Sequence, residues 1–331
     1  MLSSPRGSKI AGTGHYCPER VLTNFDLEKM VDTTDEWIVT RSGVRERRIA
    51  APEEATSDLA LAACKEALAS AGLGPEEIDG IIVGTVAGDM LFPATACLVQ
   101  NRLGATKAAA FDLNAACCGF VFGVNAAHAL ISSGQMNRVL VVGVEVLSKL
   151  TDWKDRATCV LFGDGAGAVV LDACEPGQGI LATYMKSDGS LADLLQLPAG
   201  GTRLPASAET IARGDHFIKM KGDGVFKYAV RAMEDATLHV LEQANLTVDD
   251  VDVFIPHQAN IRIIDSVQSR LRLSAEKVVV NLDRFGNTSS ATIPIAFDEV
   301  VKSGRVKSGD LVLFVAFGGG LTWGAVLFRY V

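Results

Sequence analysis

Two kinds of apolar pattern alternate along the chain. From Ser57 the run SDLALAACKEALASAGLG spaces its apolar residues at helical intervals and closes on Gly74, a helix stop. The next segment, Ile78 to Val86 (IDGIIVGTV), is apolar without a helical period and reads as a strand. The same order returns downstream, where Lys227 to Asn245 predicts an amphipathic helix and VDVFI a buried strand. Each strand is followed by a helix (Pro93 to Leu103; Ile261 to Leu271) and a second strand (Ala108 to Leu113; Lys277 to Leu282). A small-residue turn comes next (NAACCG; GNTSSA), then a helix (Phe120 to Ser133; Ile293 to Ser303), the strands RVLVVGVE and DLVLFVAF, and the glycine-rich hairpins GDGAGAVVL and GGGLTWGAVLF.

An internal match of about a hundred residues is too long for a solenoid repeat and implies two similar α/β halves. We expect them at residues 1–175 and 176–331, with Cys174 to Phe217, rich in Gly, Ser, Pro and Asp, as the connection. Strands that are apolar throughout predict mostly parallel sheets covered on both faces. A helix apolar nearly all round, GFVFGVNAAHALI, predicts burial between two sheets.

Composition narrows the function classes. With 331 residues, 48% hydrophobic and 21% charged, the chain can bury a large core without disulfide staples. A net charge of −8 and a pI near 5.2 exclude binding of nucleic acid or anionic membrane by bulk electrostatics, so an anionic partner needs a local basic patch. No run approaches the ~18 apolar residues of a spanning helix, and Met1 to Ile10 holds no apolar signal core, so the expected location is the cytoplasm. Seven scattered cysteines, none in a zinc-spaced CxxC pair, predict reduced thiols.

The candidate chemistry lies at strand ends. Cys117 closes a strand and opens a buried helix, where backbone N–H groups and the helix dipole favour a thiolate. A small apolar packing role fits the same position. Asn287 occupies the equivalent turn of the second half, and His257 follows VDVFI, so the three converge where ligands bind in α/β folds. Cys, His and Asn together suit acyl transfer, with the sulfur accepting the acyl group and neutral donors holding a thioester carbonyl. The run Gly318, Gly319, Gly320 permits close backbone approach. The glycine patterns GDGAGAVVL and GTGHYC lack the context of a dinucleotide site, no phosphate loop occurs, and Asp164 is expected to hold a tight turn. His15, His128, His216 and His239 form no ligand-spaced pair with the cysteines, so no metal is expected.

The segments VDTTDEWIVTRSGVRERRI, FDLNAACCGF, FGDGAGAVVL, IPHQANIRI, DRFGNTSSATIPIA and FGGGLTWGA, in this order, resemble β-ketoacyl-acyl carrier protein synthase III, a family of the thiolase superfamily. The resemblance implies a thiolase-like fold of two duplicated halves in a five-layered αβαβα architecture, a homodimer, and the starting condensation of type II fatty acid synthesis. By the same matching, Cys117 takes an acyl group from acyl-CoA. His257 and Asn287 bind the thioester carbonyl of malonyl-acyl carrier protein, help expel CO2 and stabilise the resulting carbanion or enolate. The N–H groups of Cys117 and Gly319 form the oxyanion hole. Asn287 in place of a second histidine points to the initiating type, and Cys118 is read as packing.

For CoA, which is a substrate rather than a cofactor, the matching puts Trp37 and Arg156 on either face of the adenine, Arg41 near the phosphates and Asn260 near the pantetheine arm. Phe92 would wall the partner subunit's acyl pocket. Lys227, Arg262 and Arg270 would dock the acidic carrier protein, although Ser269 stands where a basic residue is common. Three other readings share these residues: a condensing relative in a polyketide or quinolone pathway, a thiol acyl hydrolase, and a non-catalytic acyl or CoA carrier.

Overall fold

The computed structural model describes residues 6–331; the first five residues of the expected first half, and of the segment Met1 to Ile10, lie outside the described residues. In the first half, β1 (Gly7–Tyr16), α1 (Asp35–Ser42), α2 (Thr56–Ala71), β2 (Gly80–Gly84), α3 (Thr95–Leu103), β3 (Ala109–Leu113), α4 (Gly119–Ser132), β4 (Arg138–Val146) and β5 (Asp164–Cys174) build a five-stranded sheet of order β1-β5-β4-β2-β3. The second half supplies β6 (Ile180–Ser187), α5 (Gly222–Gln243), β7 (Val253–Pro256), α6 (Ile261–Leu271), α7 (Thr292–Lys302), β8 (Leu311–Gly318) and β9 (Thr322–Arg329), with sheet order β7-β8-β9-β6.

Alternation along the strands sets the layers. Ile82, Val141 and Val169 turn inward onto α4 and α7, which also bury Phe120, Val124, Ile293 and Phe297 against Ile255, Phe314 and Phe328 of the second sheet. Neighbouring residues Ile81, Val83, Leu140 and Val142 turn outward beneath α2 and α3. On the far side, Phe254, Leu313 and Val315 lie beneath α5 and α6. The result is the αβαβα sandwich, with its most enclosed helices in the middle.

Four expectations need correction. The sheets are mixed, because β2 pairs in parallel with β3 and β4, and β7 with β8, whereas β4–β5, β5–β1, β8–β9 and β9–β6 are antiparallel. The antiparallel pairs β4–β5 and β8–β9 lie inside their sheets, not at an edge. Lys277 to Leu282 is not a strand. Val278 makes one bridge to Phe254, after which the Gln258 amide takes over, donating to the Val279 carbonyl (3.1 Å) and accepting from the Asn281 amide (3.0 Å). The expected connection holds the half-buried strand β6, the counterpart of β1. Helix α2 stops at Gly72, which adopts the left-handed conformation (φ 67°), two residues before the expected stop.

Among the described residues no helix is long and apolar enough to cross a membrane. Asp164 does more than hold a turn: buried at the start of β5, it accepts from the Ala50 amide (2.7 Å), the Ser148 amide (2.8 Å) and the Ser148 hydroxyl (2.5 Å), tying three segments together. At the centre of the sandwich Phe297 lies 5.0 Å from Phe314 and 5.6 Å from Phe328, both edge-on. Truncation there leaves a cavity that the close-packed surroundings cannot fully close. Phe297→Ala should therefore cost about 3–5 kcal/mol, read as a lowered urea midpoint; a midpoint within error of the unaltered protein would contradict this core assignment.

Candidate active site

Two tight turns meet where the sheets end. In the first, Ala116 takes a positive φ (47°) and the 3-10 turn Ala116–Cys118 leads into α4. In the second, Ser289 takes a positive φ (49°) and the 3-10 turn Ser289–Ala291 leads into α7. A left-handed residue with a side chain is costly, so each turn is held by its surroundings. The packing is close: a Cβ at Gly143 would lie 2.3 Å from the Ser290 carbonyl oxygen, and one at Gly318 would lie 2.7 Å from the Cys117 nitrogen. Bare glycine lets β4 and β8 pass behind the turns.

Cys117, His257 and Asn287 line one cavity of about 450 Å3 that also reaches Trp37, Arg41 and Asn260. Cys117 lines a second, about 400 Å3, whose apolar wall includes Val86, Leu147, Leu150, Phe162 and Ile218 and whose rim includes Gly319. The sulfur thus stands where a polar entrance meets an apolar recess.

Electrostatics at the site are governed by burial. The Cys117 thiol is pushed up to about 11, first by desolvation and then by the nearby Glu145 carboxylate, and the Ser289 hydroxyl lies 3.5 Å from Sγ. The expectation of a resting thiolate is therefore corrected, since the helix proper begins only at Gly119 and its N-terminal field does not offset the loss of water. Cys118 is fully buried, its thiol lies 3.3 Å from the Thr322 carbonyl, and burial drives its ionisation still higher.

His257 is also buried, and desolvation lowers its imidazolium to about 3, so the ring is neutral. Its Nδ1 lies 2.7 Å from the Thr292 hydroxyl, which in turn is 3.0 Å from the Ser289 carbonyl. Nε2 is the ring nitrogen left for the cavity. The Asn287 side-chain oxygen accepts from the Ser289 amide (2.8 Å), which leaves Nδ2 as the donor.

Other expected residues fall into two groups. Arg156 already covers Trp37, 4.7 Å from the ring centroid, and donates to the Asp32 carbonyl (2.9 Å). A base between them needs about 3.5 Å on each side, so the pair has to part to admit one. Arg41 lies 5.8 Å from the same ring. Asn260 caps α6 through the Arg262 amide (2.9 Å) and donates to the Arg41 carbonyl (2.9 Å), which fixes the cavity wall. Phe92 lines neither cavity; it is 84% exposed beside Leu91 at 86%.

Lys227 and Arg270 line a groove of about 610 Å3 with Phe226, Val230 and Arg231, and Arg270 is paired there with Glu234 (2.5 Å). Arg262 is not in the lining of this groove but in that of the cavity of Cys117, His257 and Asn287, 5.6 Å from the ring of Phe226, which borders both.

Sequence reasoning missed three features. Arg231 faces the groove one helical turn from Lys227. Glu145 is completely buried behind Cys117, and its signal was a lone carboxylate inside the apolar run RVLVVGVEVL. His15, Glu66 and Asp298 gather within ligand distance of one another, but the Lys302 ammonium pairs with both carboxylates and balances the cluster internally.

The family model for 3-oxoacyl-[acyl-carrier-protein] synthase III matches residues 111–189, and the model for the C-terminal part of that enzyme matches residues 241–330. A β-ketoacyl-[acyl-carrier-protein] synthase III from Symbiobacterium thermophilum is 59% identical over 321 residues, 97% of each chain. The chain belongs to the β-ketoacyl-acyl carrier protein synthase III family.

As a member of that family it is a condensing acyltransferase with the thiolase-like fold. The crystal structure of the Aquifex aeolicus 3-oxoacyl-[acyl-carrier-protein] synthase III superposes with a TM-score of 0.90 at 52% identity, covering 98% of this chain and all of that one. The priming β-ketosynthase of the R1128 polyketide pathway superposes at 0.92 with 35% identity, over 100% of this chain and 98% of that one.

In this synthase the neutral His257 has a measurable consequence. The unfolded chain takes up a proton at His257 below about pH 6.5, whereas the folded protein does so only near 3, so this residue's contribution to stability is present above 6.5 and declines on acidification. The His257 ring nitrogens should keep their NMR shifts between pH 8 and 5. A titration centred near 6.5 would show the ring to be hydrated.

Proposed function

We propose that this protein joins an acyl-CoA primer to malonyl-acyl carrier protein in a decarboxylative Claisen condensation, giving a β-ketoacyl-acyl carrier protein and initiating type II fatty acid synthesis. The Cys117 sulfur attacks the thioester carbonyl of acyl-CoA, CoA leaves, and the acyl group is held as a thioester on Cys117. Malonyl-acyl carrier protein then enters. Hydrogen bonds from His257 Nε2–H and Asn287 Nδ2 to its thioester carbonyl stabilise the enolate formed as CO2 departs, and the carbanion carbon attacks the acyl-Cys117. The Nε2–H tautomer requires the Thr292 hydroxyl to turn its one proton from the Ser289 carbonyl, at 3.0 Å, to Nδ1, at 2.7 Å. Amides of Cys117 and Gly319 hold the oxyanion of the acyl carbon. No cofactor enters this scheme; CoA is a substrate.

The observation that carries this reading is the single cavity shared by the thiol, the neutral imidazole and the amide, in a chain of this family. Trp37, Arg41, Arg156 and Asn260 are assigned to CoA at its entrance, with Arg156 swinging from Trp37 to admit the adenine. Lys227, Arg262 and Arg270 are assigned to the carrier protein, and Arg231 joins them. The exposed apolar residues Met90, Leu91 and Phe92, beside the edge strand β3, are assigned to a homodimer in which Phe92 walls the partner's acyl recess. The place of action is the cytoplasm.

Intact mass after incubation with an acyl-CoA should show one added acyl group in the unaltered protein and in Cys118→Ala, and none in Cys117→Ala; the reverse pattern would identify the other thiol. Malonyl-acyl carrier protein should then yield ketoacyl product and CO2. Free acid in its place would indicate a hydrolase, and turnover with malonyl-CoA alone a condensing relative with another acceptor. The double change Lys227→Glu, Arg231→Glu should raise KM for malonyl-acyl carrier protein about tenfold or more through lost steering and contact, leaving KM for acyl-CoA unchanged. Equal effects on both substrates would contradict the docking assignment.

A further inference from the structure

Behind Cys117 lies a buried hydrogen-bonded path that the scheme above does not use. Ser289 Oγ stands between the Cys117 sulfur, at 3.5 Å, and Glu145 Oε1, at 3.1 Å. A serine hydroxyl has one proton. Given to the nearer carboxylate, it leaves the oxygen lone pairs to accept the thiol S–H, so that the chain runs from sulfur through Ser289 to Glu145 in one direction.

The far end of the path is built to take a proton. Ser290 Oγ lies 2.7 Å from the Gly84 carbonyl, which claims its proton, and 3.2 Å from Glu145 Oε1. It therefore turns a lone pair toward the carboxyl, an arrangement that suits a protonated Glu145 and offers nothing to a carboxylate. The other groups facing Glu145 are the Thr85 hydroxyl (3.2 Å) and the Val86 amide (3.2 Å), neither of which titrates. Burial pushes the Glu145 carboxyl up to about 7, with these hydrogen bonds working against it, and the titratable group that senses its charge is Cys117.

We propose that Glu145 receives the Cys117 thiol proton through Ser289 during acylation, stores it while the acyl group is on sulfur, and returns it by the same path when the sulfur leaves. The inference rests on the acyl-Cys117 reading. In the first half-reaction the S–H bond breaks, the proton passes to Ser289 as the Ser289 proton passes to Glu145, and the new sulfur–carbon bond forms. The CoA sulfur departs as a thiolate and takes a proton from water at the cavity entrance. In the second, loss of CO2 supplies the electron pair for the new carbon–carbon bond, the carbon–sulfur bond to Cys117 breaks, and the stored proton returns to sulfur. The cycle consumes one proton, the one taken up by CoA. Ser289 touches a reacting atom and Glu145 acts through it as a positioning and proton-holding residue.

Single-turnover acylation, followed by intact mass against pH, tests the path. The unaltered protein should show a rate that rises through an inflection near pH 7 and then levels. Glu145→Gln and Ser289→Ala should each acylate at least tenfold more slowly at pH 7.5, lose the inflection, and climb about tenfold per pH unit toward the range of the thiol itself. Glu145→Asp should restore an inflection. An unchanged profile in both variants, or a uniform slowing that keeps the inflection, overturns the relay. Failure of the unaltered protein to acylate at any pH would instead contradict the acyl-Cys117 reading.

Discussion

The site exists because two strained turns are pressed against each other. Ala116 and Ser289 each hold a left-handed backbone, and each turn is locked by glycines that let a strand pass within van der Waals distance behind it. Neither turn forms the cavity alone. The duplicated fold brings them face to face across the central helices, so that a thiol from one half meets a serine, a threonine-held imidazole and an asparagine amide from the other. Phe297, Phe314 and Phe120 keep those helices at a fixed separation.

Removal of water then decides the charge state of everything within. Burial raises the thiol and the Glu145 carboxyl and lowers the imidazole, so the resting groups are shifted toward neutrality. This suits a reaction whose charge develops only on the path to product. A neutral imidazole and an amide are donors that cost little when the cavity is empty and gain strength when an enolate oxygen forms between them. Permanent charge is kept at the entrance, where Arg41 and Arg156 lie, and on the groove of Lys227, Arg231 and Arg270.

Much of this could be read in the residues. The helix Ile261–Leu271 has the bounds its sequence predicts, and the duplication was visible because equivalent strands and turns kept their order. Residue contacts across the halves were not visible. The pairing of Ser289 with Cys117, the Gln258 amide that replaces a strand after Val278, and the closure of Arg156 onto Trp37 all join segments far apart in the chain. The resting state of the thiol was misread because a helix N-terminus is a local feature, whereas desolvation depends on everything packed around it. Strand β6 escaped notice because its half-buried alternation lies inside a segment whose glycines and prolines read as a linker.

The most direct test is a crystal structure of the protein trapped after reaction with an acyl-CoA. The acyl carbon should be joined to Cys117 Sγ, its chain running into the recess bounded by Val86, Leu147 and Ile218, with the carbonyl oxygen about 2.7–3.1 Å from the amides of Cys117 and Gly319. Density for the acyl group on any other residue, or a chain directed into the entrance beside Trp37, would contradict the account.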